Sequence, residues 1–183
     1  MTALIIILVI AALVVIYFIS TYNSFVKLRN QAEEANAGID VHLKQRYDLI
    51  PNLVETVKGY AKHESSTLEA VIKARNSAMS ATTMEERDNA NNVLSGTLKS
   101  LFALSESYPE LKANSNFLDL QQKLSEIEKG LLNARKYYNA IAKQMNSKVE
   151  MFPSNLVASM TGFKKLSYAE VEEAAKQRVE VKF

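Results

Sequence analysis

The first 26 residues of this 183-residue chain carry no charged side chain, whereas all 22 Lys and Arg and all 20 Asp and Glu follow them. Residues 3–19 are all apolar or aromatic. As a helix that rises about 1.5 Å per residue, the uncharged stretch would extend roughly 39 Å, more than a hydrocarbon core of about 30 Å. The sequence therefore predicts a membrane-spanning helix over residues 1–26.

The flanks of the apolar run favour an anchor over a cleaved signal peptide. No Lys or Arg precedes the run and no small-x-small cleavage site follows it. Its C-terminal end gathers aromatic residues, which favour the headgroup level of a bilayer: Tyr17, Phe18, Tyr22 and Phe25. By the positive-inside rule, Lys27 and Arg29 predict a single-pass protein of the cell membrane, with the N-terminus outside and the rest cytoplasmic. A periplasmic or extracellular domain is the alternative.

The composition excludes several classes of function. Without cysteine the chain has no disulfide framework, thiol nucleophile or thiolate metal site. Five glycines and three prolines are too few for an all-β or dinucleotide-binding fold, which needs many turns. A net charge of +2 is too small to indicate the strongly basic surface typical of nucleic-acid-binding proteins. We expect no cofactor, no metal site and no nucleic-acid partner.

Beyond the apolar run, hydrophobic residues recur at steps of three and four, which is typical of amphipathic helices. The first stripe comprises Phe25, Leu28, Ala32, Ala35, Ile39, Leu43, Arg46 and Ile50. It predicts one helix over about residues 3–49, some 70 Å long at about 1.5 Å per residue. Pro51 lacks a backbone donor and restricts Ile50, so we expect the helix to end, kink or restart there. Asp48, Pro51 and Asn52 form a candidate hinge.

Three further stripes predict three more long helices. The second comprises Leu53, Val54, Val57, Tyr60, Ala61, Glu64, Leu68, Val71, Ile72, Arg75 and Met79. Thr83 with Glu86 is a capping-box pattern that opens the third helix, whose stripe is Ala90, Leu94, Leu98, Leu101 and Leu104. After capping residues at 114–116, the fourth stripe comprises Phe117, Leu120, Leu124, Ile127, Leu131, Ala134, Tyr138, Ile141 and Met145.

The C-terminal residues follow a different pattern. Ser167 with Glu170 predicts a second capping box and a short helix to about Arg178. Apolar and charged residues then alternate over the last five positions, which is typical of a β-strand. A strand this short is disordered, pairs within the chain or adds to a partner's sheet edge. Because helices offer no sheet edge, the candidate oligomer contact is Val179, Val181 and Phe183.

Together these patterns predict an all-α fold. The N-terminal transmembrane helix would continue into an antiparallel, up-down four-helix bundle of long helices, followed by a short C-terminal helix and an extended tail. The corresponding domains are a transmembrane anchor at residues 1–26, the bundle at 27–160 and the C-terminal helix and tail at 161–183.

Several strings resemble the bacterial LemA family. They lie at residues 46–54, 108–114, 134–139 and 152–156, with Phe117, Gly162 and Phe163 between and after them. With the N-terminal apolar run, the resemblance covers essentially the whole chain. It implies a membrane-anchored antiparallel helical bundle without an assigned enzymatic activity.

Charged residues on the apolar stripes are the candidate polar core: Arg46, Glu64, Arg75 and Arg135. Such residues most simply form interhelix hydrogen bonds and ion pairs that fix register at some cost in stability. The alternative is a small polar pocket inside the bundle. His63 and Glu64 are the pair most typical of an enzyme, but neighbouring helix residues point about 100° apart and no H-E-x-x-H string occurs.

We therefore expect a non-enzymatic, membrane-anchored scaffold or interaction protein that self-associates at the bacterial cell membrane. Its partners would be the lipid bilayer and further copies of the chain, with an unidentified protein as a further candidate. The alternative is a sensor or adaptor whose bundle binds a peptide, lipid or protein and relays a signal through Pro51. A hydrolase or metalloenzyme is a third class.

Overall fold

The computed structural model describes residues 1–170. This part of the chain contains no strand and consists of helices α1 (Thr2–Tyr60), α2 (Ser65–Ser80), α3 (Met84–Ser105), α4 (Pro109–Lys112), α5 (Ser115–Glu150) and α6 (Ser154–Thr161). The predicted all-α class with one long apolar N-terminal helix is confirmed. The antiparallel four-helix arrangement stays a prediction.

The described residues form two compact units. The first unit consists of residues 1–37 and 136–168, and the second unit consists of residues 38–135 with Ala169 and Glu170. Helices α1 and α5 each contribute a part to both units. The predicted domain boundaries after residues 26 and 160 stay predictions.

The N-terminal part of α1 is exposed along its length. Ile5, Ile10 and Ile16 are each more than half exposed, and no residue of the most apolar 18-residue window is buried against the described chain. Contact with water along this much contiguous apolar surface is unfavourable. By length and composition the segment can cross a membrane, and it indicates membrane anchoring.

The first predicted stripe is confirmed, because all eight of its residues from Phe25 to Ile50 are buried. Of the predicted end, kink or restart at Pro51, the end and the restart are wrong, since α1 continues through this proline to Tyr60, and the kink stays a prediction. Parts of the second stripe are also wrong: Tyr60, Ile72 and Met79 are exposed, whereas Ala74 and Ala78 are buried. The buried face of α2 is thus rotated toward these small alanines and away from the one marked by the larger side chains.

Local chemistry sets the other helix boundaries. The predicted capping box of α3 is confirmed: Thr83 Oγ1 accepts from the Glu86 backbone N–H, and Glu86 accepts from the Thr83 N–H. Pro109 begins α4, where its missing N–H costs no helical hydrogen bond. At the start of α5 the Asn114 side chain accepts from the Phe117 N–H at 3.0 Å. Gly162 ends α6 at φ 78°, a left-handed conformation that favours glycine.

The second predicted capping box, at Ser167, is wrong. Residues 163–170 are not helical, and the Glu170 N–H donates to Asp88 Oδ2 at 2.9 Å rather than to Ser167. The reason is competition, because a buried carboxylate is a stronger acceptor than an exposed serine hydroxyl. The rest of the helix predicted to Arg178 lies outside the described residues.

Half-buried Phe163 packs against α1 in the first unit. Its ring stacks on Phe25 at a centroid distance of 4.9 Å and tilts against Tyr22 at 5.9 Å, and the Arg29 guanidinium lies 5.7 Å from its centroid. Further along, the Asn146 amide donates to the Leu166 carbonyl at 2.9 Å and accepts from its N–H at 2.7 Å. These bonds hold the chain after α6 against α5.

Candidate functional site: the polar core of the second unit

Arg46 projects from α1 into the second unit and is 2% exposed. Its guanidinium donates to Ser95 Oγ of α3 at 2.7 Å and to Glu128 Oε1 of α5 at 3.0 Å. The Glu128 side chain is half exposed. One buried cation therefore joins three helices, with one of its acceptors open to solvent.

Arg135 of α5 forms a second ion pair, with Asp88 of α3. The guanidinium donates to Asp88 Oδ1 at 2.8 Å, and both side chains are almost fully buried. The other Asp88 oxygen accepts from the Glu170 N–H. Because each charge is costly to bury alone, the two residues stabilise the unit only as a pair.

Tyr47 directly follows Arg46 and is buried in the same core. The Asn91 amide donates to the Tyr47 hydroxyl and to the Arg87 carbonyl, each at 2.8 Å. Burial raises the pKa of Tyr47 above its ordinary value of 10.0, although the hydrogen bond from Asn91 and the nearby arginines act in the opposite direction. The phenol is therefore kept protonated and acts as a structural hydrogen-bonding group.

Arg75 of α2 compensates for the proline in α1. In a regular helix the Tyr47 carbonyl would accept from the N–H of residue 51, which proline lacks. The Arg75 Nε–H donates to this carbonyl at 2.8 Å instead. This bond from another helix supplies the lost partner and explains how α1 passes through Pro51.

Glu64 and Arg75 are both candidates for the polar core, but Glu64 lies apart from Arg75. It precedes α2 and accepts from the Tyr108 hydroxyl at 3.2 Å. Burial first, and then the hydrogen bond to Glu64, raise the pKa of Tyr108 above its ordinary value. Of the hinge candidates, exposed Asp48 pairs with Lys44 at 2.9 Å and the Asn52 carbonyl accepts from Thr56.

A pocket of about 380 Å³ opens beside the two buried arginines. It is lined by Arg46, Asn91, Asn92, Ser95, Ser125, Glu128, Lys129, Leu131, Leu132 and Arg135. Within residues 1–170, the Arg135 Nε and the Asn91 Oδ1 have no hydrogen-bond partner, although both atoms are buried. Arg46, Lys129 and Arg135 in the walls outnumber the single carboxylate, Glu128.

The described residues bring together no group of three His, Asp or Glu side chains that could hold a metal ion. His63 is exposed, and His42 is half-buried at the core edge, where its ring lies against Gly130. Neither histidine joins Arg46 or Arg135 in the pocket lining. The site therefore offers charged, amide and hydroxyl groups for polar recognition.

Sequence reasoning missed four partners in this core: Asp88, Asn91, Ser95 and Glu128. The first three share the buried face of α3 with Leu94 and Leu98, at the same steps of three and four. Helical spacing shared with buried leucines could have indicated that these three polar residues are buried. Glu128 carried no signal, because an exposed glutamate on a long helix is ordinary. The candidate oligomer contact Val179, Val181 and Phe183 lies outside the described residues.

The polar core falls inside a stretch that matches a known family. The model of the LemA family matches residues 35–183. This chain belongs to the LemA family. The resemblance inferred from its strings is thus confirmed, and the LemA match includes Arg46, Asp88 and Arg135.

Curated relatives point the same way. Magnetosome proteins MamQ 1 and MamQ 2 of Paramagnetospirillum magneticum are each 24% identical over 197 residues, which cover 91% of this chain and 72% of the relative. Protein LemA of Metamycoplasma hominis is 26% identical over 145 residues, which cover 77% of this chain and 65% of the relative. Membership of the LemA family and the apolar helix together indicate a membrane-associated LemA-like protein.

Proposed function

We propose that this LemA-family chain is a non-enzymatic scaffold that is anchored in the bacterial cell membrane and self-associates there. The observation that carries the proposal is α1, a single helix that contains both the exposed apolar segment and the buried Arg46. One element is thus shared by the anchor and by the core of the second unit. Such a chain is suited to hold a folded interaction domain at a membrane.

The use of the buried charges supports a scaffold over an enzyme. Arg46 and Arg135 each donate to a carboxylate on another helix, and Arg75 donates to a backbone carbonyl. Catalytic acids and bases need a reactive group near a substrate, whereas these cations are committed to helix–helix contacts.

Self-association would follow from confinement to a surface. Anchored copies share a thin layer, so a weak contact acts at a high effective concentration. The alternating Val179, Val181 and Phe183 are our proposed contact, because a strand of this length pairs best with a strand of another copy. A contact that repeats around an axis would close a ring.

The proposed topology places the N-terminus outside and the folded units in the cytoplasm. Every Lys and Arg of the chain follows the apolar segment, beginning with Lys27 and Arg29. Positive charge near a span is retained on the cytoplasmic side.

The test is the mass of detergent-extracted full-length protein, measured over a range of concentrations and compared with a variant that lacks residues 179–183. We expect an assembly for the full chain and a shift toward monomers for the deletion, with unchanged helix content. A chain that is monomeric at every concentration would contradict self-association. An assembly that the deletion leaves intact would instead remove the tail as its contact.

The pocket favours a second candidate function, an adaptor or sensor that binds a small organic anion. Of the groups in its walls, Arg46, Lys129 and Arg135 are cationic, and only Glu128 is a carboxylate. Because Glu128 is half exposed, it can swing into solvent while a ligand carboxylate takes its place on Arg46. The pocket volume of about 380 Å³ is within the range of small-molecule sites.

Thermal shift with a panel of dicarboxylates and with inorganic phosphate tests this candidate. Glu128→Gln should bind a carboxylate more tightly than the natural chain, because the competing charge is gone. Glu126→Gln is the matched control, since it removes the same charge from an exposed position on the same helix that does not line this pocket. Equal shifts for both variants, or no shift for any ligand, would argue against the adaptor.

A further inference from the structure

We propose that the turn after α5 and the outer face of α6 lie in the membrane surface and contact lipid. Four apolar residues form this surface, here called the corner patch: Met151, Phe152, Leu156 and Met160. Their side chains are 62, 78, 55 and 77% exposed. All four belong to the first unit.

The corner patch is a second apolar face on a short helix. Leu156 and Met160 are four residues apart, which places them on one side of α6, and Phe152 lies in the turn that precedes the helix. Val157 and Ala158 are buried on the other side, against the first unit. Within residues 1–170 nothing covers the outer face. A contiguous exposed apolar face of this kind marks an interaction surface.

The position of the patch beside the span points to lipid. Met151 and Phe152 line a groove together with Tyr17 and Thr21 of α1. From Thr2 to Thr21 the helix rises about 30 Å, which equals the thickness of a hydrocarbon core. Thr21 therefore lies near the surface of the bilayer, and Met151 and Phe152, which line the same groove, lie at the same level.

Charge around the patch fits an anionic lipid surface. Residues 136–168 contain five lysines and a single glutamate. That glutamate, Glu150, is paired with Lys165, whereas Lys143 and Lys164 are exposed. Lys143 and Lys148 line the same groove as Met151 and Phe152, and apolar side chains beside lysines are typical of segments that rest at an interface with anionic headgroups.

Lipid is the proposed occupant because the patch continues a surface that already requires it. The exposed apolar side of α1 runs down to Tyr17, which shares its groove with Phe152. Aromatic rings at both positions match the preference of such rings for the headgroup region. A second copy or another protein would have to displace lipid that the span itself recruits.

The chain contains no tryptophan, so a single introduced tryptophan reports its own surroundings. Full-length F152W and M160W, reconstituted in vesicles of phosphatidylcholine and phosphatidylglycerol, would be measured with and without brominated acyl chains. I10W in the span is the positive control. V93W on α3 is the matched control, since Val93 is 61% exposed in the second unit.

We expect brominated lipid to quench F152W, M160W and I10W by about twofold and to leave V93W unchanged, as interfacial and buried rings would require. Emission of F152W and M160W that resists bromine but is quenched by aqueous acrylamide would place the patch in water. Resistance to both quenchers would show that protein covers it. Either result would overturn the proposal.

Discussion

At the scale of single residues, Pro51 removes a hydrogen bond from α1 and Arg75 replaces it. The replacement comes from another helix, so the proline is tolerated only while α2 is in place. Arg75 thereby ties the backbone of α1 to α2 at the position where sequence placed a hinge. A hinge motion at Asp48, Pro51 and Asn52 that relays a signal stays a prediction.

A double-mutant cycle tests this compensation. Arg75→Ala should lower the free energy of unfolding by about 1–3 kcal/mol, because the Tyr47 carbonyl loses its partner. In a Pro51→Ala background the restored N–H satisfies that carbonyl, so the same change should cost much less. Chemical unfolding in detergent gives the four values, and exposed Lys73→Ala is the control. Equal costs in both backgrounds would contradict the assignment.

The capping box of α3 predicts a dependence of stability on pH. The hydrogen bonds from the backbone of Thr82, Thr83 and from the Thr82 hydroxyl hold the pKa of Glu86 below its ordinary value of 4.5. A depressed pKa stabilises the fold above the unfolded-state pKa, and this contribution disappears as pH falls through the folded-state pKa.

Glu86→Gln should therefore melt below the natural chain at neutral pH, and the difference should vanish at acidic pH. Glu85→Gln, one residue earlier in the same turn, is the control for charge near a helix N-terminus. Thermal unfolding across about pH 3 to 7 measures both variants. A difference between natural chain and Glu86→Gln that is constant with pH would be inconsistent with this role.

At the scale of helices, Gly130 of α5 lies against His42 of α1. A β-carbon at Gly130 would lie 2.6 Å from Cε1 of the imidazole. Gly130→Ala should therefore destabilise the fold by about 1–3 kcal/mol, despite a helix-propensity gain of about 1 kcal/mol. With His42→Ala the same change should become stabilising. Gly96→Ala in α3, with open space around it, is the control and should stabilise outright.

The Arg135–Asp88 pair sets the contact between α5 and α3. Asp88→Asn should cost about 3–5 kcal/mol, because it leaves a buried guanidinium without its counter-charge. Replacing both residues by Met and Leu should recover most of that loss. The exposed Lys44–Asp48 pair is the comparison, and breaking it should cost under about 1 kcal/mol. Urea unfolding that shows equal losses for both pairs would refute the distinction.

The buried faces of the helices could be predicted from the sequence only in part. The stripe of α1 was predicted fully, because one face of a helix that is apolar at steps of three and four has only one way to be buried. The path through Pro51 was not, because it depends on Arg75, 24 residues later. The buried face of α2 was misread, since alanine gives a weak hydrophobic signal. Asp88, Asn91 and Ser95 were missed because tertiary partners decide which polar residues can be buried.

At the scale of the whole molecule, the described chain combines an apolar segment that can cross a membrane, a core with buried arginines in ion pairs, and membership of the LemA family. The proposed scaffold, the anion pocket and the corner patch depend on different parts of the chain. The pocket concerns the second unit alone and the patch the first, so failure of either leaves the other standing. Self-association is the claim on which the scaffold depends.

Energy transfer between labelled copies in vesicles tests that claim most directly. The chain has no cysteine, so Val93→Cys gives one labelling site on an exposed position of α3. Donor- and acceptor-labelled full-length chains would be mixed and then diluted with lipid at constant protein. We predict transfer that persists on dilution and falls when unlabelled chain is added. Transfer that declines with surface density to the level of randomly placed monomers would contradict self-association at the membrane.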